Sequence, residues 1–154
     1  MADVELLYAR DPRAVRTILE SLPDWFGDPA AIESYTEAAA DERYRSLLAT
    51  RAGRTVAIAL VARHFPESAE LHLIAVAPTE RGSGIGRALI DRLAADLRAD
   101  GCRLLSVHTV GPSFPHDGYA TTRAFYHRTG FIPLEEHHGL DWDGPTLILA
   151  RILA

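Results

Sequence analysis

Leu71-His72-Leu73-Ile74-Ala75-Val76-Ala77-Pro78-Thr79-Glu80-Arg81-Gly82-Ser83-Gly84-Ile85-Gly86-Arg87 is the stretch on which the reading of the whole chain turns. Leu71 to Ala77 is apolar and β-prone, and Pro78 stops it. A polar turn, Thr79 to Arg81, leads into Gly82-Ser83-Gly84-Ile85-Gly86, and an amphipathic helix pattern follows. Strand, glycine turn and helix together aim several backbone N–H groups at one point. The first turn of a helix leaves four N–H groups without internal partners. The helix dipole adds about half a positive charge there. A glycine turn has no Cβ to hold a ligand off the backbone. This combination suits a phosphate group.

The spacing narrows the kind of phosphate. A P-loop requires Gly-Lys-Ser/Thr, and the chain contains no lysine. The dinucleotide pattern is G-x-G-x-x-G, whereas glycines 82, 84 and 86 give G-x-G-x-G, one residue short. No acidic residue about twenty positions on closes a second strand as that pattern requires. What matches is Arg-x-x-Gly-x-Gly, carried by Arg81, Gly84 and Gly86.

Working outward, Val4–Ala9 reads as a first strand. Pro12 and Pro29 open two helices, the first ending before Pro23 and the second near Ala40. Tyr44–Ala52, Thr55–His64 and Ala69–Ala77 read as three antiparallel strands joined by short turns. Beyond the glycines, Ile85, Leu89, Leu93 and Leu97 recur at spacing four, and Asp100-Gly101 stops the helix. Arg103–Val110 is again a strand, so a right-handed crossover to a parallel neighbour is expected. Tyr119–Thr129 reads as a helix closed by Gly130, and Phe131–Glu136 and Thr146–Leu153 as final strands. The expected order is β-α-α-β-β-β-α-β-α-β-β: an α/β chain with one mixed sheet, residues 1–154 forming a single domain.

Composition sets outer limits. The chain has 154 residues, 47% apolar and 24% charged, which is ordinary for a globular domain. Its net charge is −5, and all 16 basic residues are arginine. An acidic chain without basic runs argues against nucleic acid as a partner. A single cysteine, Cys102, excludes an internal disulfide and a cysteine metal site. Glu135-Glu136-His137-His138 lacks the H-E-x-x-H spacing and reads as a solvated strand end, so no metal is expected. No apolar run has the length of a signal core or a membrane span, and a cytoplasmic location without a membrane partner is the expectation.

The Arg81-x-x-Gly84-x-Gly86 loop resembles the pyrophosphate loop of the GNAT superfamily of acetyl-coenzyme A dependent N-acetyltransferases. Ala124-Phe125-Tyr126-His127-Arg128-Thr129-Gly130-Phe131 resembles that family's A-x-Y-x-x-x-G-F ending of its last helix, and the element order matches along the whole chain. Leu22–Gly27, Ser68-Ala69-Glu70 and Thr122–Tyr126 further resemble a bacterial branch whose acceptors are not assigned. The resemblance implies the GNAT fold, whose two central parallel strands splay apart, and acetyl-coenzyme A as co-substrate. It implies direct transfer to a primary amine of a small molecule or peptide in a ternary complex. A catalytically silent coenzyme A binding module on the same fold is the alternative, and a homodimer through the final strands is compatible with the fold.

Carried onto this sequence, the resemblance lays the pantetheine arm along Ile74, Ala75 and Val76, with the Val76 N–H or its neighbour facing the thioester oxygen. It seats the diphosphate on Gly82, Ser83, Gly84, Ile85, Gly86 and Arg87, with Arg81 adding charge. Tyr126 becomes the general acid for the leaving thiolate. The asparagine that many members carry before this tyrosine is missing, and Thr121 or Arg123 stands in for it. For the base, Glu70 and His72 share one face of an unbroken strand, and His108 on the neighbouring strand is a further candidate. Trp25 and Phe26, with Tyr35, either line the acceptor pocket or pack the helix pair onto the sheet.

Overall fold

The computed structural model describes residues 3–154. Met1 and Ala2, included in the one-domain expectation, lie outside the described residues. Seven strands form one mixed sheet in the order β1-β2-β3-β4-β5-β7-β6. The chain falls into two compact units, one ending at Ala62 and resuming over His72–Leu93, the other formed by Arg63–Leu71 and Ala94–Ala154.

The first unit carries β1 (Val4–Tyr8), α1 (Pro12–Glu20), α2 (Pro29–Ala40), β2 (Tyr44–Arg51) and most of β3 (Arg54–Phe65). It also takes the second half of β4 (Ser68–Val76), a 3-10 turn at Pro78–Glu80 and the start of α3 (Ile85–Ala99). Both early helices begin on a proline, and an aspartate caps each one. Asp11 accepts from the Ala14 N–H at 3.1 Å and Asp28 from the Ala30 N–H at 2.9 Å. Asp11 also accepts from the Thr55 hydroxyl at 2.9 Å, tying the α1 start to β3. Strands β1, β2 and β3 pair antiparallel in sequence. Val56 to Val61 of β3 are all buried, as a strand covered on both faces requires. Val15, Leu19, Ile32, Leu48, Ile58 and Leu60 form the core of this unit, together with Leu73 and Ala75 of β4.

Along β4 burial alternates. Ala69, Leu71, Leu73 and Ala75 are buried, and Ser68, Glu70, His72, Ile74 and Val76 are half-buried. The period of two puts Glu70 and His72 on one face, as read from sequence.

The second unit holds β5 (Leu104–Val110), α4 (Asp117–Arg128), β6 (Ile132–His138) and β7 (Pro145–Ile152). β4 and β5 pair in parallel from Ser68↔Leu104 to Leu71↔Val107. β7 lies antiparallel between β5 and β6. Gly101, at φ +88°, ends α3 in the left-handed region. Cys102 is buried, its thiol near the carbonyls of Glu67 and Leu104.

Most boundaries fall within one residue of expectation, and two differ by two residues. α4 starts at Asp117, not Tyr119, because the His116 ring accepts from the Tyr119 N–H at 3.4 Å and caps the helix. Histidine is not among the favoured capping residues, so composition gives no hint of it. β6 continues to His138, because Glu136, His137 and His138 pair with Leu147, Thr146 and Pro145.

Candidate active site

In the first unit the chain leaves β4 at Val76, and the Ala77 N–H donates to the Val56 carbonyl of β3 at 2.8 Å. Alternate N–H groups along a strand point to opposite sides. The Val76 N–H therefore points away from β3, the orientation an oxyanion donor on β4 would need. The 3-10 turn follows, then Arg81, Gly82, Ser83 and Gly84, all exposed. Gly82 (φ +73°) and Gly84 (φ +84°) are left-handed, and a Cβ on either would meet nothing within 4 Å. The first hydrogen bond of α3 runs from the Ala88 N–H to the Gly84 carbonyl at 3.0 Å. The amides of Ile85, Gly86 and Arg87 thus lie ahead of the helical ladder.

One carboxylate sits in this loop, where it would repel an anion. Glu80 is held by Arg51 through two bonds of 3.1 Å, with both side chains largely buried. A two-pronged guanidinium neutralises a carboxylate most completely. The Ser83 hydroxyl donates to the Glu80 carbonyl and tightens the turn. The Arg81 guanidinium lies over the Trp25 ring at 4.2 Å. Trp25 thereby orients the arginine of the motif, a contact that the sequence reading did not contain. Phe26 meets Tyr35 edge-on at 5.8 Å, and Trp25, Phe26 and Tyr35 all pack against the core of the unit. His72 lies against Tyr44 (4.7 Å between ring centres) and Tyr35 (5.3 Å).

In the second unit α4 presents Tyr119, Thr122, Tyr126 and Thr129 on one stripe, increasingly buried towards its end. Burial raises the pKa of Tyr119, which stays a neutral hydroxyl. The helix end explains the A-x-Y-x-x-x-G-F pattern in local terms. The Phe131 N–H donates to the Tyr126 carbonyl at 3.0 Å, and the Gly130 N–H to that of His127 at 3.2 Å. This is a Schellman closure, with Gly130 at φ +96°. Its accompanying apolar contact is Tyr126 against Phe131, with ring centres 5.5 Å apart. Tyr126, 6% exposed, is therefore fixed in direction by the way its helix stops. The Thr129 hydroxyl donates to the carbonyls of Phe125 and Tyr126, and Arg151 donates to the Thr129 carbonyl at 2.9 Å.

The two residues read as stand-ins for the missing asparagine are used within this unit. The Thr121 hydroxyl donates to the Asp117 carbonyl at 3.2 Å, one turn back, and Arg123 donates to the Val110 carbonyl at the end of β5 at 2.9 Å. Arg123 thus ties α4 to the end of β5. Glu70 is paired with His64, Nε2 to Oε1 at 2.8 Å. His108 is paired with Asp141, Nδ1 to Oδ2 at 2.8 Å. The sequence reading did not single out Asp141 as a functional residue, and 33 positions separate it from His108. The run Glu135–His138 ends β6 with Glu135, His137 and His138 exposed, and the half-buried Glu136 accepts from the Ser113 hydroxyl and amide. Its carboxylate fills the place of a Cβ on Gly111, at 2.5 Å. Beside α4 and β7 an open apolar hollow of about 480 Å³ has Ala124, His127, Leu147 and Leu149 among its walls, and neither Tyr126 nor His108 lines it. Among the described residues no three His, Cys, Asp or Glu converge as a metal site would require, and no helix is long and apolar enough to cross a membrane.

Comparison with known proteins agrees with this geometry. Residues 42–133, more than half of the chain, match the model of the acetyltransferase (GNAT) domain. The mycothiol acetyltransferase of Beutenbergia cavernae is 35% identical over 68 residues, which are 44% of this chain and 21% of that protein. A Desulfovibrio desulfuricans protein placed in the GNAT family of acetyltransferases superposes with a TM-score of 0.88 at 27% identity, covering 99% of this chain and 100% of that one. A GNAT acetyltransferase of Elizabethkingia anophelis with acetyl-CoA bound superposes with a TM-score of 0.72 over 97% of each chain, and its 14% identity makes it a likeness of fold alone. The glycine loop after β4, the closure around Tyr126, the seven-stranded mixed sheet and the match over residues 42–133 make this chain a member of the GNAT family of acetyltransferases.

Proposed function

We propose that residues 1–154 work as one N-acetyltransferase domain, moving an acetyl group from acetyl-coenzyme A to a primary amine of a small molecule or peptide. The observation that carries this reading is the turn at residues 82–87. Two left-handed glycines leave open space, three amides precede the first bond of α3, and Arg51 neutralises Glu80, the one acidic residue between positions 78 and 87. These features fit a diphosphate, and Arg81 supplies the charge that the absent lysine would have given.

Acetyl-coenzyme A brings an acetyl group already activated as a thioester. Binding it and the amine together removes the entropy cost of a bimolecular encounter, the largest gain available to such an enzyme. The chain's own residues supply the rest. Ile74, Ala75 and Val76 offer a strand edge to the pantetheine amides. The Val76 N–H stabilises negative charge on the thioester oxygen as the nitrogen attacks. Tyr126 gives its hydroxyl proton to sulfur as the C–S bond breaks, and regains it from solvent. Thr121 or Arg123 takes the place of the family's asparagine beside the cofactor; in the protein alone each makes its own hydrogen bond within the unit. Glu70 and His72 offer carboxylate and imidazole on one face of β4; Phe26 bounds the acceptor side, and Trp25, read from sequence as a second wall there, holds Arg81 at the diphosphate seat.

Thermal shift against acetyl-coenzyme A, coenzyme A, NAD and ATP tests the ligand. The first two are expected to stabilise the protein and the last two to leave it unchanged. Thiol release across a panel of amines, with Tyr126→Phe as the control, tests turnover. Binding with no release above that control for any amine would leave a silent coenzyme A module instead.

A further inference from the structure

The second unit joins β5 to the β6–β7 connection through one side-chain pair, His108 and Asp141. Its geometry fixes a tautomer. A carboxylate only accepts, so the Nδ1 atom, 2.8 Å from Asp141 Oδ2, carries the ring proton. Nε2 is then left with the lone pair, the form that can receive a proton.

The loop that carries Asp141 is braced. The Gly139 N–H donates to the Gly144 carbonyl at 3.3 Å, and the Trp142 indole N–H to the Pro145 carbonyl at 3.1 Å. The Trp142 ring fills the place of a Cβ on Gly144, at 2.3 Å, so a side chain there would displace the ring. Trp142 also meets Phe114 edge-on at 5.4 Å, joining this loop to the one after β5. His108 sits mid-strand opposite Ile148, with its side chain 28% exposed. It is held on a rigid element and can still be reached.

The register adds a comparison. Glu70 lies opposite Ser106, so His108 is the next residue of β5 on the Glu70 face, about 8 Å away by strand spacing and rise. The Glu70 carboxylate is already paired with His64. Glu70 keeps its second oxygen beyond that pair, whereas His108 is the one of these two whose pairing fixes a tautomer and leaves Nε2 with its lone pair.

We propose that His108 is the base that takes the first proton from the acceptor ammonium, and that Asp141 is the positioning residue that fixes its tautomer and steadies the imidazolium. This rests on the acetyl-transfer reading above. The ammonium gives one proton to Nε2, which passes it to solvent. The neutral nitrogen forms the C–N bond while the C–S bond breaks; its second proton leaves to solvent, and Tyr126, which delivers a proton to sulfur, takes one back from solvent. The acetylated amine, the free thiol and one net released proton then account for all atoms.

The test uses the full chain and three variants, His108→Gln, Asp141→Asn and Asp141→Glu. Imidazole ¹⁵N spectra should show His108 as the Nδ1–H tautomer in the wild type and a mixture in Asp141→Asn. Thiol release is measured with 2-phenylethylamine, spermidine, kanamycin and an alanine-initiated peptide. For whichever of these reacts, kcat should fall about 10²–10⁴-fold in His108→Gln and by a smaller factor in Asp141→Asn, which loses the tautomer control but keeps the ring. KM for the amine and the thermal shift with acetyl-coenzyme A should be unchanged, and Asp141→Glu should recover part of kcat. A wild-type spectrum with the proton on Nε2, or a normal kcat in the first two variants, would overturn the proposal alone. Acetyl-coenzyme A binding without thiol release from any of the four amines would overturn the acetyl-transfer reading and the base role with it.

Discussion

Glu80 and Arg51 show how single residues set the character of the glycine loop. With Arg51 in place the carboxylate is matched at 3.1 Å by two guanidinium nitrogens, Nε and Nη2. Arg51→Ala would leave an unmatched, largely buried negative charge beside the proposed diphosphate seat. Coenzyme A affinity should fall roughly tenfold, which is about 1.4 kcal/mol. Arg51→Ala combined with Glu80→Gln should regain most of it. Calorimetric titration of the single and double variants checks this, and equal losses in both would refute the repulsion argument. Tyr126→Phe keeps the ring contact with Phe131 and removes only the hydroxyl. The expected result is a protein that still folds and binds coenzyme A, with a kcat lower by about 10²–10³, measured by thiol release at saturating substrates. Both Arg51 and Asp141 act through partners distant in sequence, which is why neither stood out as a site residue before the fold was known.

At the scale of elements, what matters is where helices begin and end. Gly130 closes α4 at φ +96°, and a Cβ there would meet the Arg151 side chain at 3.4 Å. Gly130→Ala should destabilise the protein by about 1–2 kcal/mol, the cost of a left-handed non-glycine residue. It should also lower kcat by loosening Tyr126, and the denaturant midpoint and kcat together would separate these effects. The helix starts were legible for physical reasons. Pro12 and Pro29 follow capping aspartates, and both the residue type and the fixed φ belong to a first turn. The α4 start was not legible, since His116 caps through a ring nitrogen. The Glu135–His138 run carried no sign that Glu136 would fold back over Gly111 and hold Ser113.

For the whole molecule, acetyl-coenzyme A at a hundredfold excess over its Kd should add about 2.7 kcal/mol of stability, roughly 5–10 °C in melting temperature for a chain of this size. A scan with and without ligand measures it, and no shift would count against the diphosphate seat. Acid titration probes a different feature. Hydrogen bonds from Arg43 hold the Asp41 carboxyl at about 2, below its ordinary value of 3.8. As pH falls the unfolded chain takes up this proton first. The contribution of Asp41 is therefore present above the ordinary value and lost as pH drops towards about 2. Asp41→Asn should flatten the stability curve in that window, as read from denaturant midpoints at several pH values.

The sequence by itself determined the element order, the glycine turn before α3 and the Tyr-x-x-x-Gly-Phe closure of α4. Each of these is local: an apolar period, a proline or aspartate at a helix start, or a glycine where φ is positive. Only the tertiary structure decided that Trp25 would lie beneath Arg81, that Arg51 would neutralise Glu80, and that Asp141 would turn the His108 ring. Those pairings join residues tens of positions apart. A charge or a ring acquires its partner from how strands align and loops return, and no periodicity along the chain records that.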